Sequence, residues 1–84
     1  LHPDNQGRGF ALEGARALLE FAFTEIGAHR VMARLSPENG SSVALCGRLG
    51  MRREARFVES EIFKGEWSDL AIHAILRREW EAAR

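Results

Sequence analysis

The residues with the clearest chemical potential stand near the start of this 84-residue chain. Gln6, Gly7, Arg8, Gly9, Phe10 and Ala11 directly precede a long stretch of helical periodicity. A helix entrance leaves several backbone N–H groups without intrahelical partners, and the helix dipole adds a partial positive charge there. Glycines let an anion approach bare backbone, and an arginine between them adds a guanidinium. The segment therefore has the parts of a phosphate site. A P-loop would need Gly-Lys-Ser/Thr after its glycines, which Phe10-Ala11-Leu12 does not supply. A dinucleotide fingerprint would need a third glycine where Leu12 stands, and a preceding strand. The pattern Q/R-x-x-G-x-G/A fits Gln6 to Ala11 position for position. A Gly-rich turn capping a helix is the other reading of the same residues.

Other reactive side chains are few. Cys46 is the single cysteine, so no intrachain disulfide forms, and no Cys/His cluster has metal-ligand spacing. One thiol fits a reducing, cytoplasmic setting. His29 and His73 could serve as bases, although a lone histidine on a strand is more often structural. The twelve Lys and Arg balance twelve Asp and Glu. Zero net charge, with no interleaved basic and aromatic patch, argues against a nucleic-acid or anionic-membrane partner. No apolar run approaches the ~20 residues that span a bilayer.

These residues need elements to hold them. Residues 1–9 read as loop. From Phe10 to about Ile26 apolar residues at 12, 15, 18, 19, 22, 23 and 26 oppose Glu13, Arg16, Glu20 and Thr24, which predicts an amphipathic helix closed by Gly27. Gly14 interrupts it, and close packing on a sheet would explain that glycine. "RVMARL" over 30–35 alternates as a strand, and "SPENG" ends it. Ser41 or Ser42 can cap a short helix running to Leu49, with Gly50 as its stop. Residues 51–63 and 67–76, separated by "KGEW", read as an antiparallel hairpin in which Trp67 packs across the strands. Met32, Met51, Phe57 and Phe63 read as core, and Trp80 as the anchor of a short helical tail. The expected class is α/β (α+β): helix, strand, helix, then an antiparallel β-hairpin.

Beyond the six-residue motif, "GFALEGARALLEFAFTEIGAHRV", "ARLSPENGSS", "LCGRLGMRREA" and "FKGEWSDLAIHAIL" follow one another at ordinary spacing. In these blocks the chain resembles the GNAT superfamily of acyl-CoA-dependent N-acetyltransferases. The likeness is strongest to the branch that acetylates N-terminal amines of ribosomal proteins. It covers nearly all 84 residues and implies the C-terminal portion of a single acetyltransferase domain, a partial GNAT fold lacking the N-terminal strands. It further implies acetyl-CoA as cosubstrate, no metal, and a primary amine (a protein N-terminus or a small amine) as acceptor.

By the same resemblance, Gln6 to Ala11 would hold the cofactor's diphosphate. Asn39 would touch its pantetheine arm or acetyl-bearing end. Ser42 would either bond the cofactor or cap the helix. Many members place a proton-donating tyrosine seven residues after this asparagine, where this chain has Cys46. A thiol with an ordinary pKa of about 8.5 donates to a departing thiolate with little driving force. The catalytic residues are therefore unassigned, with Cys46 and Ser42 as weak candidates, and Cys46 reads more readily as an inert core residue. Glu66 and Trp67 would lie near the acceptor. The alternative is a non-catalytic half-fold that binds CoA, or that pairs with another chain through an open sheet edge. A homodimer through the exposed "RVMARL" edge is the corresponding assembly.

Overall fold

The computed structural model describes the backbone of residues 3–83 and the side chains of residues 11–83. Its elements are α1 (Pro3–Glu20), a π-helical continuation (Phe21–Ile26), β1 (Arg30–Leu35), α2 (Gly40–Arg48), β2 (Arg52–Phe63), β3 (Glu66–Leu76) and α3 (Arg77–Ala82). Among the described residues, no helix is long and apolar enough to cross a membrane.

The first helix begins earlier than expected. Residues 3–9, read as loop, form the opening turns of α1. Pro3 has a backbone preset for a first helical position and lacks an N–H that would need a partner, while Asp4 complements the dipole of the opening turn. These signals prevail over Gly7 and Gly9, each of which costs about 1 kcal/mol relative to alanine. At its other end the helix widens. The N–H of Gly27 and that of Ala28 both reach the carbonyl of Ala22, the latter at 2.9 Å, and Gly27 takes φ 77°, which its missing Cβ permits. The Thr24 hydroxyl donates to the Glu20 carbonyl at 2.6 Å within this segment.

The expected apolar stripe is narrower in fact. Leu19 and Phe23 are buried and Leu12, Ala15 and Ala22 half-buried, but Leu18 and Ile26 are exposed. No described atom lies within 4 Å of where a Cβ on Gly14 would stand, so close packing is not the reason for that glycine.

The three strands form one antiparallel sheet in the order β1-β3-β2. Arg30 to Leu35 pair with Leu76 to Ala71, and β2 pairs with the whole of β3. Directly opposed residues share a sheet face. One face therefore carries Val31, Ala33 and Leu35 with Ile75, His73 and Ala71, and it is the face covered by the core. Leu19, Phe23, Cys46, Met51 and Ile75 form that core, with Trp80 against it. The Phe23 and Trp80 rings lie 5.1 Å apart, so the tail is anchored as expected.

Other expected core residues are not there. Met32, Phe57 and Phe63 are each at least half exposed, because they occupy the uncovered face or the free end of the hairpin. The β2–β3 connection is a two-residue turn, with Lys64 at φ 52° and Gly65 at φ 80°, and β3 starts at Glu66. Since β1 pairs only with residues 71–76 of β3, residues 57–70 continue beyond it as a two-stranded arm.

Candidate active site

Two segments carry the candidate residues: the opening turns of α1 and the turn from β1 into α2. In the first, Gln6, Gly7, Arg8, Gly9, Phe10 and Ala11 lie within α1 rather than ahead of it. An α-helix satisfies its own amides from the fourth helical residue onward, because the carbonyl just before the first one accepts the first bond. A helix whose first helical residue is Pro3 thus leaves the amides of Asp4 and Asn5 outside the ladder, and places those of Gln6 to Ala11 inside it. Ala11 is exposed. The side chains of the other five lie outside the described residues.

The second segment is ordered by hydrogen bonds. The Asn39 N–H donates to the Ser36 carbonyl at 3.0 Å, and the Glu38 N–H to the Ser36 hydroxyl at 3.3 Å. Asn39, not Ser41 or Ser42, is the N-cap of α2: its Oδ1 accepts the Ser42 N–H at 3.1 Å. The correction follows from where the chain turns. Asn39 still has extended backbone angles, φ −81° and ψ 90°, as a cap requires, whereas Ser41 and Ser42 are already helical. The cap occupies only the oxygen of the carboxamide. Its NH₂ group, with two donors, has no partner among the described residues, and Asn39 is exposed. The half-buried Ser42 contributes a hydroxyl that is likewise unbonded among them.

Cys46 stands two turns further along α2, with its side chain turned into the core against Leu19, Phe23, Met51 and Ile75. Burial pushes its thiol pKa up, so the group is a weaker acid than an exposed cysteine. His73 is 6% exposed on the central strand, and both ring nitrogens lack a hydrogen-bond partner among the described residues. His29 is exposed, and its carbonyl accepts the Arg77 N–H at 2.9 Å. Neither ring bonds Asn39, Ser42 or Cys46 among the described residues. Glu66 and Trp67 sit together at the free end of the arm. Trp67 opposes Ile62 across the strands, as expected of a hairpin aromatic, yet stays 62% exposed.

Charged networks lie elsewhere, and nothing in residue spacing announced them. On the sheet's uncovered face Glu54 bridges Arg30 at 2.6 Å and Arg52 at 3.0 Å, and Arg52 in turn holds Glu79 of α3. On the arm, Asp69 accepts two bonds from the Arg56 guanidinium, at 3.0 and 2.7 Å, and the Glu59 N–H at 2.8 Å. The Glu59 N–H, followed by Arg56, holds the Asp69 carboxyl below its usual range. No group of three or more His, Cys, Asp or Glu residues among those described could hold a metal.

Comparison with known proteins agrees with this architecture. Residues 1–52 match the family model described as an acetyltransferase (GNAT) domain. An uncharacterised N-acetyltransferase of Bacillus subtilis, YnaD, is 40% identical over 79 residues, which cover 94% of this chain and 46% of that protein. The [ribosomal protein uS5]-alanine N-acetyltransferase of Escherichia coli is 29% identical over 94% of this chain and 41% of its own length. A crystal structure of a GNAT-family acetyltransferase from Bacillus anthracis superposes with a TM-score of 0.82 at 36% identity, over 93% of this chain and 47% of that one. The chain thus spans somewhat under half the length of these relatives. With its fold and the greater part of its sequence matched, the chain belongs to the GNAT acetyltransferase family.

Proposed function

We propose that this chain provides the cofactor-holding part of an acyl-CoA-dependent N-acetyltransferase that moves an acetyl group from acetyl-CoA to a primary amine, either a protein N-terminus or a small amine. The observation carrying this reading is that Gln6, Gly7, Arg8, Gly9, Phe10, Ala11, Asn39 and Ser42 all fall within the residues matched by the family model. The amides and guanidinium of residues 6–11 take the diphosphate. The free carboxamide donors of Asn39 take a carbonyl of the pantetheine arm, and Ser42 lies one turn away.

This assignment makes a demand on α1. Its opening turns must give up their helical amides to the anion, so that the helix then begins near Phe10. Gly7 and Gly9 make these turns the cheapest part of α1 to unwind. The liberated amides then sit at a helix N-terminus, where anions are favoured.

In the transfer itself the neutral amine attacks the thioester carbonyl, a C–N bond forms and the C–S bond breaks. The nitrogen loses its proton to solvent, and the departing thiolate takes one from water or from the Ser42 hydroxyl. The raised pKa of Cys46 makes it the poorer donor. An α-amine, with a pKa near 7.7–8.0, is appreciably neutral at physiological pH, while a lysine amine at about 10.4 needs a base. A protein N-terminus is therefore the acceptor that asks least of the site.

The test is calorimetric titration of CoA into the chain, repeated with Gly9→Asp. The substitution puts a carboxylate and a Cβ where a phosphate would sit, so measurable binding is expected to vanish. Equal CoA affinity in the two proteins would overturn the assignment of the segment. One observation supports a second reading, a non-catalytic half-fold that pairs with another chain: β1 has no partner on its outer edge among the described residues. CoA binding with no acetyl transfer to any of a panel of N-terminal peptides and small amines, by the chain or by any longer protein containing it, would favour this reading.

A further inference from the structure

Asn39 and Gly40 are the chain's one Asn-Gly pair, and both are exposed. Such a pair can modify itself in water. The Gly40 amide loses its proton to hydroxide, and its nitrogen attacks the side-chain carbon Cγ of Asn39. An N–C bond forms, the C–NH₂ bond breaks and ammonia leaves, which closes a five-membered succinimide. Water then opens the ring at one of its two carbonyls, giving aspartate or isoaspartate. One water enters and one ammonia departs, and no other reactant is needed. Glycine favours the attack because no Cβ crowds its nitrogen. Both reacting groups are available. The Gly40 N–H opens α2, lies outside the helical ladder and has no partner among the described residues, and neither has the Asn39 NH₂ group that leaves.

The fold nevertheless holds the two groups apart. Ring closure brings the Gly40 nitrogen round to the side of the Asn39 Cα that carries Cβ, which for an L residue means a ψ of about −120°. Asn39 has ψ 90°, so the nitrogen lies almost opposite Cβ. Three hydrogen bonds keep it there. The Asn39 N–H donates to the Ser36 carbonyl at 3.0 Å, its carbonyl accepts the Val43 N–H at 3.0 Å, and its Oδ1 accepts the Ser42 N–H at 3.1 Å. Turning ψ to the reactive angle swings the Asn39 carbonyl away from the helix axis and breaks the Val43 bond. The side chain must also leave the Ser42 N–H to meet the nitrogen. Conversion therefore waits for the first turn of α2 to open. That helix has only 9 residues, and Gly40, Ser41 and Ala44 within it are exposed. Ends of this kind open far more often than the whole fold does.

We propose that Asn39 is a site of self-modification, converted through Gly40 to aspartate or isoaspartate, and that the cap of α2 sets the rate. Aspartate keeps a capping oxygen. Isoaspartate carries one extra main-chain carbon and displaces the cap. Both lack the NH₂ donors. The functional consequence, and it alone, rests on the proposed role of Asn39 as a cofactor contact: each conversion leaves a chain that holds CoA more weakly and that refolding does not restore.

The experiment follows the mass gained when OH replaces NH₂ at Asn39, located by peptide mapping, as the chain ages in mildly alkaline buffer with and without guanidinium chloride. Conversion is expected to run about tenfold faster or more in the denatured chain. The folded rate is expected to equal the denatured rate multiplied by the open fraction, read from hydrogen exchange of the Ser42 amide. Ala44→Gly, at an exposed position of α2, loosens the helix and is expected to raise the folded rate about fivefold. Gly40→Ala adds a Cβ that meets nothing within 4 Å, at a residue whose φ is not positive. It is expected to slow conversion about tenfold or more in both states. No conversion at Asn39 in denaturant would overturn the proposal, as would equal folded and denatured rates, or undiminished conversion in Gly40→Ala. Should Ala44→Gly fail to fold by circular dichroism, the two rates of the unmodified chain decide. The cofactor link is read separately. CoA is expected to slow conversion, and the converted chain to bind CoA more weakly by calorimetry. If conversion runs as described while CoA does neither, the cofactor role of Asn39 fails and the modification stands.

Discussion

Asn39 has an observed capping role and a proposed cofactor-binding role in one carboxamide, and the two can be separated. The oxygen caps α2 through the Ser42 N–H, and the NH₂ group is available to a ligand. Asn39→Asp keeps an oxygen cap and removes the donors, so stability is expected to hold while CoA affinity falls. Asn39→Ala removes both, and urea unfolding is expected to show an added loss of about 1 kcal/mol. Equal CoA affinity in all three proteins would restrict Asn39 to capping. His73 raises the opposite question, since it is a polar side chain in an apolar place. A buried donor or acceptor left unbonded costs about 1–3 kcal/mol. The imidazole has two such atoms, and it opposes Ala33 on one neighbouring strand and Arg53 on the other. His73→Phe keeps the ring volume and removes both polar atoms. It is expected to raise the unfolding free energy by about 1–3 kcal/mol, read from the urea midpoint at unchanged slope. A loss of stability instead would show that the nitrogens have found partners in solution.

Among the elements, the arm is the one held by a single carboxylate. Between Phe57 and Glu61 the register of β2 slips against β3, and Glu59 takes φ 47° in the bulge. Asp69 closes this bulge with one backbone and two guanidinium bonds. Its folded-state pKa is depressed, so the clamp's stabilisation is complete above the unfolded value of about 3.9 and is lost as pH falls through the lower folded value. Hydrogen exchange at the Glu59 amide is therefore expected to lose protection in acid, below about pH 4. In Asp69→Asn that protection is expected to be weak at every pH. A Glu59 amide equally protected on both sides of that window would show that the bulge holds itself. The elements also show how far local pattern reaches. Strand β1, helix α2 with its stop at Gly50, and the hairpin follow from alternation and turn chemistry, which act between neighbours in sequence. The cap went to Asn39 instead of a serine because the position of a cap depends on where the backbone leaves its extended conformation. The opening of α1 departs from the loop that Gly7 and Gly9 favour, because Pro3 and Asp4 are helix-start residues.

Over the whole molecule, one small core must hold three strands and three helices together. Phe23 is its largest fully buried side chain among the described residues, and it meets Trp80 from the far end of the chain. Phe23→Ala is expected to cost about 3–5 kcal/mol, comparable with all that a single core of this size supplies. Thermal melts should accordingly show loss of the cooperative transition, with Trp80 fluorescence exposed at all temperatures. A retained transition would mean that the sheet carries more of the stability than the core does. The sequence by itself determined the kinds of elements, their order, the motif at Gln6 to Ala11 and, through blocks of resemblance, the family. These are properties of short stretches, where side-chain period and backbone preference act over a few residues. Only the tertiary structure decided that β3 lies between β1 and β2, that Met32, Phe57 and Phe63 stay outside the core, and that His73 is buried with no partner among the described residues. It also decided that Arg30, Glu54, Arg52 and Glu79 meet on one face. Each of these depends on which distant segments are brought together and which sheet face the helices cover, and no local pattern carries that information.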